Sequence, residues 1–191
     1  MPTENPEQFF KEIEEPYNYH ATFLLEHYSE HRLIFNHLEY GLGTWDTVVG
    51  ESLRTFAPYS KPALLLLEKI YDLDRFLRAQ KHTYSQALQE VRNGKKISHW
   101  IWYIFPQMKG LGKSETSQTY GITCRDEAEA YIVHPILKER LVEISEAVLN
   151  NDKSVYDIFG NDAIKVRSCI LLFESVCDIP VFKQLKSKYC W

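Results

Sequence analysis

The chain has 191 residues, 45% apolar and 25% charged, with 8 Gly and 8 Pro, a composition that calls for a packed core and excludes disordered or collagen-like chains. Its longest aliphatic run, Ala63 to Leu67, falls far short of the roughly 20 residues a membrane-spanning helix needs, and the opening MPTENPEQFFKEIEE carries acids and proline where a secretory leader carries basic and then apolar residues, so a cytoplasmic protein that crosses no bilayer is expected. The net charge of -4 is uneven: residues 1–70 hold 11 acids against 5 Lys and Arg, and residues 71–191 hold 15 against 17, which argues against broad nucleic-acid binding and leaves room for a local basic patch.

Almost every segment reads at helical spacing, so a mainly α, compact multi-helix protein is expected, with an acidic helical region over residues 1–70 and a helical domain over 71–191. Asn5-Pro6 is a cap and first-turn pair for a helix presenting Phe9, Phe10 and Ile13, and Pro16 is expected to end it. Ala21 to Tyr40 carries a second face through Leu24, His31 and Leu38 and stops at Gly41 and Gly43. A short helix to Phe56 follows. Ser60 and Pro62 then open a long helix to Gln80, with a break near Tyr71-Asp72. Thr83 opens a helix closed by Asn93-Gly94. In SHWIWYIFPQ, Pro106 forces an end, and IWYIF is read as helical although it would also fit a short strand. The loop MKGLGKSETSQTYG precedes helices opened at Thr123, Pro135, Ser154 with Asp157, Asp162 and Pro180.

The blocks SHWIWYIFPQMKGLGKSETSQTYGI (98–122), EAEAYIVHPILKERL (127–141) and IFGNDAIKVRSCILLF (158–173) resemble, in order and separation, the signatures of the domain of unknown function 1810 family, and the entry DLDRFLRAQKHTYSQALQEVRNGKK from Asp72 resembles its first helix pair. The resemblance covers about residues 71–191 and implies a compact, mainly helical fold and no agreed activity. Where members of that family commonly carry SSMTLF, this chain has Ser168-Cys169-Ile170-Leu171-Leu172-Phe173, which would alter the site if those hydroxyls faced a ligand.

Arg92, Lys95, Lys96, Lys109 and Lys113 fall in a stretch with no acid between Glu90 and Glu115, interleaved with Trp100, Trp102, Tyr103 and Phe105. Ammonium groups beside aromatic faces suit an anionic ligand with a flat ring. His99 is the residue there able to move a proton near neutral pH, with Gln107, Ser114 and Tyr120 as hydrogen-bonding partners. The opposing reading makes Trp100 and Phe105 core anchors, bonds His99 to a backbone carbonyl and leaves the lysines as a solvated face. The segment lacks the spacing of a Walker loop, with Pro106 or Gln107 where an upstream Gly is required. Lys165, Arg167 and Ser168 form a second group in the N-terminal half of a helix, where an anion is favoured; the alternative is surface ion pairing.

His20, His27, His31 and His37 tempt a metal reading, but HYSEH is not HExxH, and His134 before Pro135 reads as a helix-entry residue. Cys124, Cys169, Cys177 and Cys190 form no CxxC pair and read as ordinary thiols. No metal and no cofactor are expected. The leading functional expectation is a site for an anionic, phosphate-bearing or nucleotide-like small molecule, with turnover undecided. Two others stand beside it: a protein-interaction module in which the acidic N-terminal region docks on the basic face, and single-stranded nucleic-acid binding, which the net negative charge disfavours.

Overall fold

The computed structural model describes residues 5–29 and 44–191, with side chains from 44 to 48 left aside. Helices are the regular elements of the described residues, which include no strand; one parallel bridge pairs Met108 with Ile122. The chain forms two compact units, residues 1–74 with 124–135, and residues 75–123 with 136–191.

In the first unit, α1 (Pro6–Glu26) starts from an Asn5 cap whose side chain accepts from Gln8 N. Contrary to the expected stop, Pro16 lies inside this helix. A proline there forfeits one backbone hydrogen bond and costs about 3 kcal/mol. Tertiary packing offsets it: Phe10 meets Tyr17 at 5.6 Å and Phe56 at 5.5 Å, and Tyr17 meets Phe56 at 5.0 Å, so one aromatic cluster spans the turns on both sides of the proline. Ala21 to Glu26, expected to open a second helix, are the last turns of α1, which ends at His27; the rest of that expectation, through His31 and His37 to Tyr40, lies outside the described residues.

Phe56 belongs to α2 (Thr44–Phe56), after which Ser60 caps α3 (Lys61–Ile70) by accepting from Ala63 N at 3.3 Å, while its hydroxyl donates to Asn18 Oδ1 at 2.6 Å. One cap thus also ties α3 to α1. The helix α8 (Arg125–Val133) belongs to this unit too: Arg54 of α2 holds Glu129 at 3.0 Å and Asp126 at 3.7 Å, and the buried His134 ring contacts Glu68 of α3 at 2.8 Å.

The expected break after α3 is present. Asp72 adopts a positive φ of 46°, and α4 (Asp74–Gln80) follows. In the second unit come α5 (Tyr84–Arg92), α6 (Ile101–Ile104), α7 (Glu115–Thr119), α9 (Pro135–Leu149), α10 (Val155–Phe159), α11 (Ala163–Val176) and α12 (Pro180–Lys188). The expected inner face of α9, Leu137, Leu141, Ile144 and Val148, is buried, as are Val166, Ile170 and Phe173 of α11, whereas Leu172 is half-buried. Ser154 and Asp157 form a reciprocal capping box at α10. No helix of the described residues is long and apolar enough to cross a membrane.

Candidate functional site

The segment between α5 and α6 is organised by a carboxylate that sequence reasoning passed over. Glu90 lies on the same face of α5 as Ala87 and Val91 and is 7% exposed. It accepts from Ile97 N at 2.7 Å, Ser98 N at 3.0 Å, the Ser98 hydroxyl at 2.5 Å and the Trp100 indole at 2.8 Å. Burial alone would raise its pKa, but these donors outweigh that and bring it from 4.5 to about 2. Glu90, charged at neutral pH, therefore fixes the course of the chain from Ile97 to Trp100.

That role overturns the stacking expectation for Trp100. It is 1% exposed, with its ring between Phe105 at 6.4 Å and Phe159 at 6.2 Å. A ring so enclosed cannot receive a ligand, and its polar N–H is already satisfied by Glu90. Phe105 is equally buried.

Trp102, two residues on, is half-buried. Lys165 Nζ stands over its ring at 4.5 Å from the centroid. Lys165 also pairs with one oxygen of Asp162, and Lys96 holds the other oxygen at 2.8 Å while lying 5.3 Å from the centre of the Trp100 ring. The two lysine side chains are 10% and 26% exposed and Asp162 is 21% exposed, so this is a sheltered group. Burial would raise the Asp162 pKa, yet hydrogen bonds from Lys165 and Lys96 prevail and lower it. Among the described residues these two ammonium groups share one carboxylate, which leaves one positive charge without an acid, and each ammonium has three N–H donors.

The glycine-rich loop closes against the same indole. Lys109 N donates to Ile122 O at 2.8 Å and Ile122 N to Gln107 O at 2.9 Å, joining the two ends of the loop. A Cβ on Gly121 would lie 2.8 Å from Lys109 Cα, and one on Gly112 would lie 2.8 Å from the Trp102 ring, so close approach explains why both positions are glycine. Arg75 clamps the far side through Thr119 O at 2.9 Å and Gly121 O at 3.3 Å. The loop is held by its own bonds, and Lys109 and Lys113 project from it exposed, with no ion pair among the described residues.

The remaining expected site residues divide. His99 is exposed, one residue before Trp100, and its carbonyl faces the Tyr103 hydroxyl at 3.5 Å. Ser114 caps α7 by accepting from Ser117 N at 3.2 Å, so its hydroxyl already has a structural partner. Gln107 is 6% exposed, and Tyr120 is half-buried against Tyr103 at 5.2 Å and Phe76 at 5.9 Å. Ser168 donates to Ile164 O within its own helix at 3.0 Å. Of the two positions where a hydroxyl was considered, Cys169 is fully buried and Leu171 is half-buried.

Two clefts lie elsewhere. One of about 260 Å³ is lined by Arg92, Glu143, Glu146 and Asn151, and one of about 240 Å³ by Tyr17, His20, Leu24 and Leu53. His27 stacks on Phe23 at 4.2 Å, and its Nδ1 contacts Phe23 O at 2.9 Å. Among the described residues no three His, Cys, Asp or Glu side chains gather as a metal site.

Asp162 could have been suspected as an acid three residues before Lys165. Glu90 could have been suspected as an acid within an apolar helical stripe, just ahead of an indole.

The described residues define a mainly helical protein in which Trp102, of the block 98–122, meets Lys165 and its partner Asp162, of the block 158–173. Residues 70–191 match the family model described as a protein of unknown function, DUF1810, and the chain belongs to that family; residues 1–69 lie outside the match. The crystal structure of the conserved hypothetical protein Rv1873 from Mycobacterium tuberculosis is similar, with 39% identity over 62% of this chain and 86% of that one and a TM-score of 0.61. No curated protein matches.

Proposed function

We propose that the network around Trp102 binds an anionic, phosphate-bearing small molecule. The observation that carries this reading is the sheltered pair Lys96 and Lys165 sharing the single carboxylate of Asp162. An incoming phosphate would use spare ammonium N–H groups and compensate the surplus charge in a place where water screens it poorly. Lys113 and Lys109 on the adjoining loop add long-range attraction. The half-exposed Trp102 supplies a flat apolar surface, which favours a nucleotide over a bare phosphate. His99 belongs to the reading as the proton-transferring group of any turnover, being exposed three residues from Trp102 and three from Lys96.

Thermal-shift titration with pyrophosphate and ATP, at ionic strength matched by sodium chloride, tests it. Both should raise the melting temperature by linkage, Lys165→Ala should abolish the rise, and Trp102→Leu should weaken ATP more than pyrophosphate. His99→Ala is expected to leave binding unchanged. Equal shifts from either ligand in wild type and Lys165→Ala would reject the site.

A further inference from the structure

The outward face of α1 remains without a role. At 100° per residue, Glu12, Glu15, Tyr19, Phe23 and Glu26 fall within a sector of about 80°, opposite the buried Phe10 and Ala21. The stripe runs about 21 Å along the helix. Tyr19 is 70% exposed and Phe23 is 44% exposed. Helix α1 carries five glutamates against one lysine, and that lysine is paired with Glu7 at 3.3 Å. Glu12, Glu15 and Glu26 have no ion pair among the described residues. This is a solvent-facing row in which acids alternate with aromatic rings.

The second unit presents the complementary pattern. Residues 92–113 hold five cations and no acid, of which Arg92 and Lys96 are paired and Lys95, Lys109 and Lys113 are not, among the described residues. Large apolar side chains are exposed immediately beside the lysine network: Ile97 at 76%, next to Lys96; Leu111 at 64%, next to Gly112; Ile164 at 64%, next to Lys165; and Tyr156 at 65%, on the helix whose Ile158 carbonyl accepts from Lys96 N. A purely small-molecule site gives these four groups no reason to be apolar. Lysines interspersed with apolar tips are what a helix bearing glutamates and aromatic rings would meet favourably, charge against charge and ring against aliphatic group.

We infer that the occupant of this basic–apolar surface is the α1 stripe of a second copy of the same chain. Each molecule carries both halves, so the contact is head-to-tail: different surfaces of the two molecules meet, and association proceeds to a closed ring or to short open chains. The inference goes beyond the anion-binding reading and does not require it.

Sedimentation velocity on the full chain, at about 100 μM in about 50 mM and about 500 mM salt, tests it with two surface variants. Glu15→Lys with Tyr19→Ser removes the helix half; Lys113→Glu with Ile164→Ser removes the basic half. All four positions are exposed. The wild type should self-associate at low salt and dissociate at least about ten-fold more readily at high salt. Each variant alone should be monomeric, and their equimolar mixture should regain a 1:1 complex, because one intact half remains on each. A monomeric wild type, a silent mixture, a variant that associates like the wild type, or association indifferent to salt would each overturn the inference. The first variant keeps every lysine of the anion site, so pyrophosphate titration on it reports separately on the proposed function.

Discussion

Replacing Glu90 probes the internal scaffold of the site most directly. The carboxylate accepts four hydrogen bonds from Ile97, Ser98 and Trp100, and a fifth from Gln86 Nε2 at 3.1 Å. In Glu90→Ala the Trp100 indole N–H, in a residue only 1% exposed, loses its partner. An unsatisfied buried donor costs about 1–3 kcal/mol, and two part-buried backbone N–H groups lose a charged acceptor as well, so a loss of roughly 3–5 kcal/mol is expected. Glu90→Gln keeps one oxygen for the N–H donors and should cost about 1.5–3 kcal/mol, the charge-assisted share. Both are large beside a typical total of about 5–15 kcal/mol.

The pH dependence gives an independent check. Because the folded-state pKa of Glu90 is lowered from 4.5 to about 2, its contribution is complete above 4.5 and is lost as pH falls towards 2. Urea unfolding followed by tryptophan fluorescence should therefore show the gap between wild type and Glu90→Gln full at pH 7 and shrinking below pH 4.5. A gap under about 0.5 kcal/mol at pH 7, or one that persists unchanged at pH 3, would refute this account of how the segment is held.

Three further outcomes can be measured on the same material. Gly121→Ala should destabilise by about 1–3 kcal/mol in urea unfolding, because Lys109 Cα at 2.8 Å and the Ser117 carbonyl oxygen at 2.9 Å are backbone atoms that cannot step aside cheaply. Pro16→Ala should raise the melting temperature, since it restores a donor inside α1 and removes a steric conflict worth about 3 kcal/mol, less about 1 kcal/mol from the freer unfolded chain. Phe10→Ala should cost about 3–5 kcal/mol by opening the cluster with Tyr17, Phe56 and Tyr59, read by calorimetry.

Signals that act within a few residues were legible in the sequence. The Asn5 and Ser60 caps, the Ser154 and Asp157 box, the break at Asp72 and the stripe of α9 all follow from hydrogen bonds or periodicity inside one segment. Pro16 was misread as a stop because the energy that keeps it helical comes from Phe56, forty residues away. Trp100 and Trp102 look alike in the sequence, and their different fates depend on Glu90 and Lys165, which periodicity does not bring to them. The aromatic residues and lysines could be named as candidates from the sequence; the two acids they bond to could not, because the acid-free interval from Glu90 to Glu115 hid the fact that Asp162 folds back onto it.

Helix α8 lies inside the family-matched segment, yet it belongs to the compact unit formed with residues 1–74. Arg54, outside the match, pairs with Asp126 and with Glu129, inside it, and Glu129 is also held by Arg125. The two stretches are thus coupled in heredity: loss or reversal of the charge at position 54 should be accompanied, in descendants of this chain, by compensating change at 126 and 129. Homologues without an arginine at that place should carry a different surface on α8.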